Sequence, residues 1–227
     1  MKYIQKVKKG KAYSELMRVH KAKGSYEDIR DDKSKGFTLR TDVLKDLVKE
    51  QNSICAYCMR TINLENATIE HIVGQSYVDE KGKKIGKNED TNYDNMLAVC
   101  KGEFCLNETH CDKSRSIYQN KNPLLSISPL NRSQMSHIKF TRKSGVIYYN
   151  QLDEESRIND DLNRVLNLNC DGIKENRVRV LEAIKKSLFR HKFNKKFAQK
   201  ELEYWENKDT SYNAYCQVAI FELKKYI

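Results

Sequence analysis

Apolar positions change period several times along this chain, and each change marks an element. Residues 1–40 carry few apolar positions, with Gly10, Gly24 and Gly36 as punctuation, and predict an irregular arm or short strands. Thr41 can then cap a helix whose Val43, Leu44, Leu47 and Val48 recur at helical spacing, ending near Gln51-Asn52. Ser53 to Arg60 reads as a turn between short strands. Ala67-Thr68-Ile69-Glu70-His71-Ile72-Val73 mixes polar and apolar residues at strand length, and Gly74 ends it. Residues 75–92 are rich in Lys, Gly, Asn and Asp without a period and predict an exposed loop, after which Tyr93 to Cys100 resumes order. Asn122-Pro123 and Ser128-Pro129 change the texture, and Gly145-Val146-Ile147-Tyr148-Tyr149 reads as a strand. Three helical stripes come after it: Ile158, Leu162, Val165 and Leu166; Val178, Leu181, Ile184 and Leu188; and Tyr212, Tyr215, Ala219 and Leu223. The pattern predicts an α+β fold in three parts: a basic arm and lead-in helix over 1–49, a core over 50–122 and a mainly helical region over 123–227.

Composition narrows the class. The chain has 227 residues, of which 39% are hydrophobic and 32% charged, enough apolar material for a core beneath a wet surface. No run approaches the roughly 18 apolar residues of a membrane span, and Met1-Lys2-Tyr3-Ile4-Gln5-Lys6 lacks the apolar stretch of a secretory signal, so a cytoplasmic protein is expected. The net charge of +11 is unevenly placed. Residues 1–50 and 163–227 each hold 14 basic and 8 acidic side chains, against 14 and 15 in the middle. Basic flanks predict attraction to a polyanion, most strongly from Arg177 to Lys200, where nine basic residues meet one acid; Lys185 and Lys186 are its candidate phosphate contacts, and a solvated helix face is the plainer alternative.

Seven cysteines in a reducing compartment argue for metal binding over disulfides. Cys55-x2-Cys58 has the spacing at which two thiolates reach one tetrahedral Zn²⁺. Cys100 and Cys111 are the preferred second pair, with Cys105 as competitor; Cys170 and Cys216 stand apart as ordinary buried thiols. A redox dithiol at Cys55 and Cys58 is the weaker alternative, because the strand leading into a helix that such a motif needs is absent.

Between the cysteine groups lie Ile69-Glu70-His71-Ile72 and Tyr93-Asp94-Asn95-Met96-Leu97, and Asp112 comes directly after the last thiol. This order resembles the HNH endonucleases, whose zinc-stabilised ββα-metal finger (the His-Me finger) is often held by two cysteine pairs. The resemblance implies that His71 is the general base, that Glu70 and Asp112 hold one catalytic Mg²⁺ or Mn²⁺, that Asn95 braces the histidine-bearing loop, and that Cys55, Cys58, Cys100 and Cys111 hold a structural Zn²⁺. Softness separates the two ions, with sulfur for zinc and carboxylate oxygen for the hard ion. Asp112 stands where His or Asn is usual, and ten residues separate Cys100 from Cys111, so Cys105 or His110 stays open as the fourth zinc ligand. Lys113 and Arg115, on the same segment, are further candidate nucleic-acid contacts.

Ile54-Cys55-Ala56-Tyr57-Cys58-Met59-Arg60, Asn95-Met96-Leu97-Ala98-Val99-Cys100, His110-Cys111-Asp112-Lys113, Asn122-Pro123-Leu124 and Val165-Leu166-Asn167-Leu168-Asn169 resemble the PtuB-type HNH nucleases of Septu and retron anti-phage defence, over residues 50 to about 180. That resemblance implies a nuclease, with DNA favoured as substrate, working in a larger complex with a PtuA-type ATPase and, in a retron setting, with a reverse transcriptase and its RNA–DNA product. Cleavage of RNA, tRNA included, is the alternative within the class. A zinc-stabilised module that binds nucleic acid or an ATPase without chemistry is the alternative outside it.

Overall fold

The computed structural model describes residues 1–31, 36–103, 108–118, 123–207 and 211–227. It is an α+β protein in which two small antiparallel sheets are set among helices. Residues 1–9 run extended without regular structure, with Met1 and Ile4 buried and the Ile4 amide donating to the Pro129 carbonyl at 2.9 Å. Helices α1 (Lys11–Lys21) and α2 (Tyr26–Asp31) come next. The expectation of an irregular arm is thereby corrected. Ala12 and Leu16, four residues apart, put one face of α1 into the core, and in α2 Tyr26 and Ile29 do the same at a spacing of three. So few apolar positions suffice because the rest of each helix faces water.

Helix α3 (Gly36–Glu50) begins before Thr41 and buries Val43, Leu44, Leu47 and Val48. Its end is fastened to the cysteine turn and to the strand at Ala98 by Gln51, whose buried amide donates to the carbonyls of Ile54 and Ala98 at 2.9 and 2.7 Å and accepts from the Ala98 amide at 2.8 Å. Strands β1 (Ala67–His71) and β2 (Met96–Cys100) pair antiparallel, with Glu70 opposite Leu97 and His71 opposite Met96. The connection predicted as a loop contains a short helix, α4 (Ile85–Glu89), and a single 3₁₀ turn (Tyr93–Asn95) before β2. Gly86 explains how α4 fits: a Cβ there would lie 2.0 Å from the Gly74 carbonyl oxygen, so only glycine lets the helix approach the chain leaving β1. Helix α5 (Cys111–Ile117) lies beyond β2 in the chain.

In the C-terminal half, α6 (Arg132–Ser136), the hairpin β3 (Ile138–Phe140) and β4 (Ile147–Tyr149), α7 (Glu155–Asp160) and a π-helical turn (Asp161–Val165) precede α8 (Asp171–Arg190), α9 (Lys195–Glu206) and α10 (Cys216–Leu223). Ile158, Leu162, Val165 and Leu166 are buried as their stripe predicts; Val178 is half-buried at the margin of the second, and Tyr212 and Tyr215 are buried just ahead of α10. One core cluster includes buried residues from Met1 to Val218, and a smaller one joins α8, α9 and α10. Among the described residues no helix is long and apolar enough to cross a membrane.

The helical packing of the N-terminal segment has a direct test. Leu16→Ala removes a fully buried side chain from α1, and urea denaturation should show a loss of about 2–5 kcal/mol; an unchanged midpoint would mean that α1 is not packed on the core.

A candidate metal centre beside a carboxyl–histidine cluster

Three separate segments meet at the cysteines. The turn 55–59 closes with the Met59 amide donating to the Cys55 carbonyl at 3.0 Å and the Cys55 amide to the Arg60 carbonyl at 2.8 Å, so both its sulfurs face one point. Met59 takes the left-handed conformation that this tight knuckle requires. Cys100 ends β2 and Cys111 begins α5. The four ligand atoms of Cys55, Cys58, Cys100 and Cys111 all lie within 4.8 Å of one another, and all four residues are buried. Cys58 and Cys100 sulfurs are 3.6 Å apart, and those of Cys55 and Cys111 3.9 Å. Zn–S bonds of about 2.3 Å in a tetrahedron require sulfur separations of about 3.8 Å, so the donor set fits a structural metal such as zinc. Without a cation the charges fall unevenly. Burial pushes the Cys58 and Cys111 thiols well up, while hydrogen bonds from Cys111, Cys55 and Cys58 hold Cys100 far below the usual thiol range.

Of the open alternatives, Cys105 lies outside the described residues. His110 is fully buried with Nδ1 3.2 Å from the Cys111 sulfur and 3.9 Å from that of Cys100, placing its ring beside the four sulfurs. The Cys111 segment is braced from the C-terminal half: its amide donates to the Leu166 carbonyl at 2.9 Å, and the Asn167 amide group to the Thr109 carbonyl at 2.9 Å. This is a structural task for the Val165–Asn169 motif that the sequence singled out without explaining. Gly102 is needed for the same approach, since a Cβ there would lie 2.1 Å from the His110 carbonyl oxygen.

Strand alternation sends Glu70 and His71 to opposite faces of β1. Glu70 is buried against Tyr57, whose hydroxyl donates to its Oε1 at 3.2 Å, and against the guanidinium of Arg115, which is ion-paired with the same oxygen. Asp112, half-buried at the start of α5, acts electrostatically on Glu70. Burial pushes the Glu70 carboxyl up, Arg115 opposes this, and Asp112 reinforces it, leaving Glu70 at about 8. His71 lies under the edge-on ring of Tyr26, with centroids 4.8 Å apart. Its Nε2 is 2.8 Å from the Asp90 carbonyl oxygen and must donate to it, which leaves Nδ1 as the lone-pair nitrogen of the neutral ring. Burial holds the imidazole below its ordinary value and so keeps it neutral. Asn95 spans the His71-bearing connection: its amide donates to the carbonyls of Val73 and Glu89 at 3.0 and 2.9 Å, and its oxygen accepts from the Val73 amide at 2.7 Å.

Arg115 is corrected from a nucleic-acid contact to an internal clamp. It is fully buried; besides Glu70 it donates to the carbonyls of His71, Ile72 and Pro123 at 2.8, 2.7 and 2.9 Å, so no donor edge faces outward to a phosphate. Arg177 likewise leaves the surface patch. It is fully buried, donates to the Gly145 carbonyl at 3.1 Å, and its charge interacts with Cys58 and Cys111. Burial brings its guanidinium down to about 10. Composition counts both arginines as surface charge because nothing local distinguishes a buried arginine. Lys113 and Lys186 are exposed and Lys185 is half-buried. The structure thus brings together the four cysteines, with His110 against them, and separately Glu70, Asp112 and Arg115; the His71 ring is bonded to neither group. Fold and site together define an α+β protein with a buried four-cysteine centre. No protein-family model and no curated protein matches the sequence.

Purified protein should contain one zinc per chain by elemental analysis. Cys58→Ser should lose the metal and the cooperative unfolding transition together, because structural zinc binding is folding free energy; a folded, metal-free Cys58→Ser protein would contradict the structural role. Arg115→Met should cost about 3–5 kcal/mol in urea, with a smaller additional loss when Glu70→Gln is combined with it. Strict additivity of the two would show that the pair is not coupled.

Proposed function

We propose that this protein is a metal-dependent HNH endonuclease that hydrolyses phosphodiester bonds in nucleic acid, DNA in first place. The observation that carries the reading is the state of His71: a buried imidazole, kept neutral and fixed through Nε2–H on the Asp90 carbonyl, presents Nδ1 as a base. The order β1, β2, α5, joined by the four cysteines, supports a zinc-held ββα arrangement, and the Asn95 hydrogen bonds support the bracing role that the resemblance implies.

In this reading Nδ1 of His71 takes a proton from the water that attacks phosphorus. Glu70 and Asp112 would hold a hard divalent ion, Mg²⁺ or Mn²⁺, which supplies charge neutralisation at the phosphate. The burial of Glu70, which disfavours its bare charge, supports a cation beside it. Arg115 fixes the carbonyls of His71 and Ile72 and so positions the end of β1. Lys113, exposed on α5, would meet the phosphate backbone. A PtuA-type ATPase as partner, with or without retron components, and a cytoplasmic setting rest on the sequence resemblance. RNA, tRNA included, is the alternative substrate.

One observation favours a second reading. The Arg115–Glu70 ion pair already neutralises one carboxyl, as it would in a zinc-stabilised binding module without chemistry. The two readings part on activity. Incubated with circular DNA, linear DNA and total RNA in Mg²⁺ or Mn²⁺, alone and with an ATPase partner, the protein should cleave one polymer. His71→Ala and Asp112→Asn should each lower the rate by at least about 10²-fold with zinc content and folding intact. Parental rates in both variants would remove the assigned base and ligand, and a parent inert under every condition would favour the binding module.

A further inference from the structure

The connection between α8 and α9 carries an aromatic and cationic tip that the candidate centre does not use. Phe189 is 72% exposed and Phe193 46% exposed, although burying either ring would stabilise the fold by about 1.5–3 kcal/mol. Their centroids are 6.2 Å apart at 76°, and Phe193 stacks on Tyr226 at 5.5 Å and 22°. Lys192 and Phe193 both take the left-handed backbone conformation, with φ of 51° and 52°, where glycine is the usual choice. That conformation costs about 1–2 kcal/mol per residue in side chains of this kind. Lys186, Arg190, Lys192, Lys195 and Lys196 flank the two rings in the chain, all exposed and none ion-paired with a described residue. From 183 to 200 there is no acidic residue.

The plain account is a helix-capping turn: the Lys192 and Phe193 amides close on the carbonyls of Phe189 and Leu188 at 2.9 and 2.8 Å. It explains the turn but not the exposed rings. Two rings among five cations form a small apolar patch beside the roughly 800 Å² per partner of a stable protein interface. Ring faces with flanking cations match unpaired nucleotides, whose bases stack on aromatics while their phosphates meet lysine and arginine. A duplex hides its base faces and offers only phosphate.

We propose that this tip is a binding site for single-stranded nucleic acid, in which Phe189 and Phe193 stack on unpaired bases and Arg190, Lys192, Lys195 and Lys196 neutralise phosphates. It rests on the proposed function only in taking nucleic acid as the ligand, and needs no cleavage. The test is fluorescence anisotropy with labelled oligo(dT) and oligo(U) of about 20 nucleotides and a blunt duplex of the same length, without added Mg²⁺ or Mn²⁺. The F189A/F193A variant, which removes two exposed rings and the Phe193–Tyr226 stack at the surface, should keep its zinc and circular dichroism. It should bind both single strands at least about fivefold more weakly than the parent, because stacking is worth about 1–3 kcal/mol per base. Its duplex affinity should stay within about twofold. The variant K192E/K195E/K196E should weaken all three ligands and flatten the dependence on salt.

Unchanged single-strand affinity in F189A/F193A, equal losses on single strand and duplex, or a parent that binds acidic polypeptide but no oligonucleotide would overturn the proposal. A parent that cleaves nucleic acid while F189A/F193A binds normally would remove the tip and leave the nuclease reading standing. A parent that never cleaves, yet loses single-strand binding through these two rings, would do the reverse.

Discussion

Four sulfur atoms buried within touching distance of one another set the terms for this fold. Thiolates cannot be packed together in an apolar interior without a cation, and thiols packed there make only weak hydrogen bonds, so the cluster is costly unless a soft dication occupies its centre. Its donors come from the turn after α3, the end of β2 and the start of α5, and the Leu166 carbonyl adds the C-terminal half through the Cys111 amide. A single coordination event would therefore fix the relative placement of segments distant in sequence. Arg177 fits the same logic: four thiolates around one dication leave two negative charges, and a buried guanidinium interacting with Cys58 and Cys111 offsets part of them.

The carboxyls and the histidine each take their placement from this frame. Glu70 and His71 are placed by pairing of β1 with β2, whose last residue is a cluster cysteine, and Asp112 is the immediate neighbour of another. Arg115 then spans the two, reaching from α5 to Glu70 and to the carbonyls at the end of β1. Moving α5 by a fraction of its length would break all of these bonds at once. A metal at the four sulfurs would therefore govern the placement of Glu70, Asp112 and Arg115.

Much of this was legible in the residues. The Cys-x2-Cys spacing and the second thiol pair identified the cluster, because tetrahedral sulfur coordination tolerates few arrangements of chain, and the stripes of α3 and α8 were readable because each buries one face. What escaped was non-local. Helices α1 and α2 each bury so few apolar residues that their period is faint. Helix α4 depends on the close approach at Gly86, and the roles of Arg115 and Arg177 depend on partners many residues away. A basic side chain in sequence looks the same whether it meets water or closes a buried ion pair. The Asp90 carbonyl that orients His71 is a backbone contact of the loop between the strands, which no residue pattern encodes, whereas Asn95 was named for the loop it clasps.

Zinc K-edge X-ray absorption of the purified protein tests the central claim most directly. The account predicts four sulfur scatterers at about 2.3 Å. A shell with a nitrogen neighbour near 2.0 Å, which would put His110 in place of a thiolate, or a folded protein with no zinc at all, would contradict it.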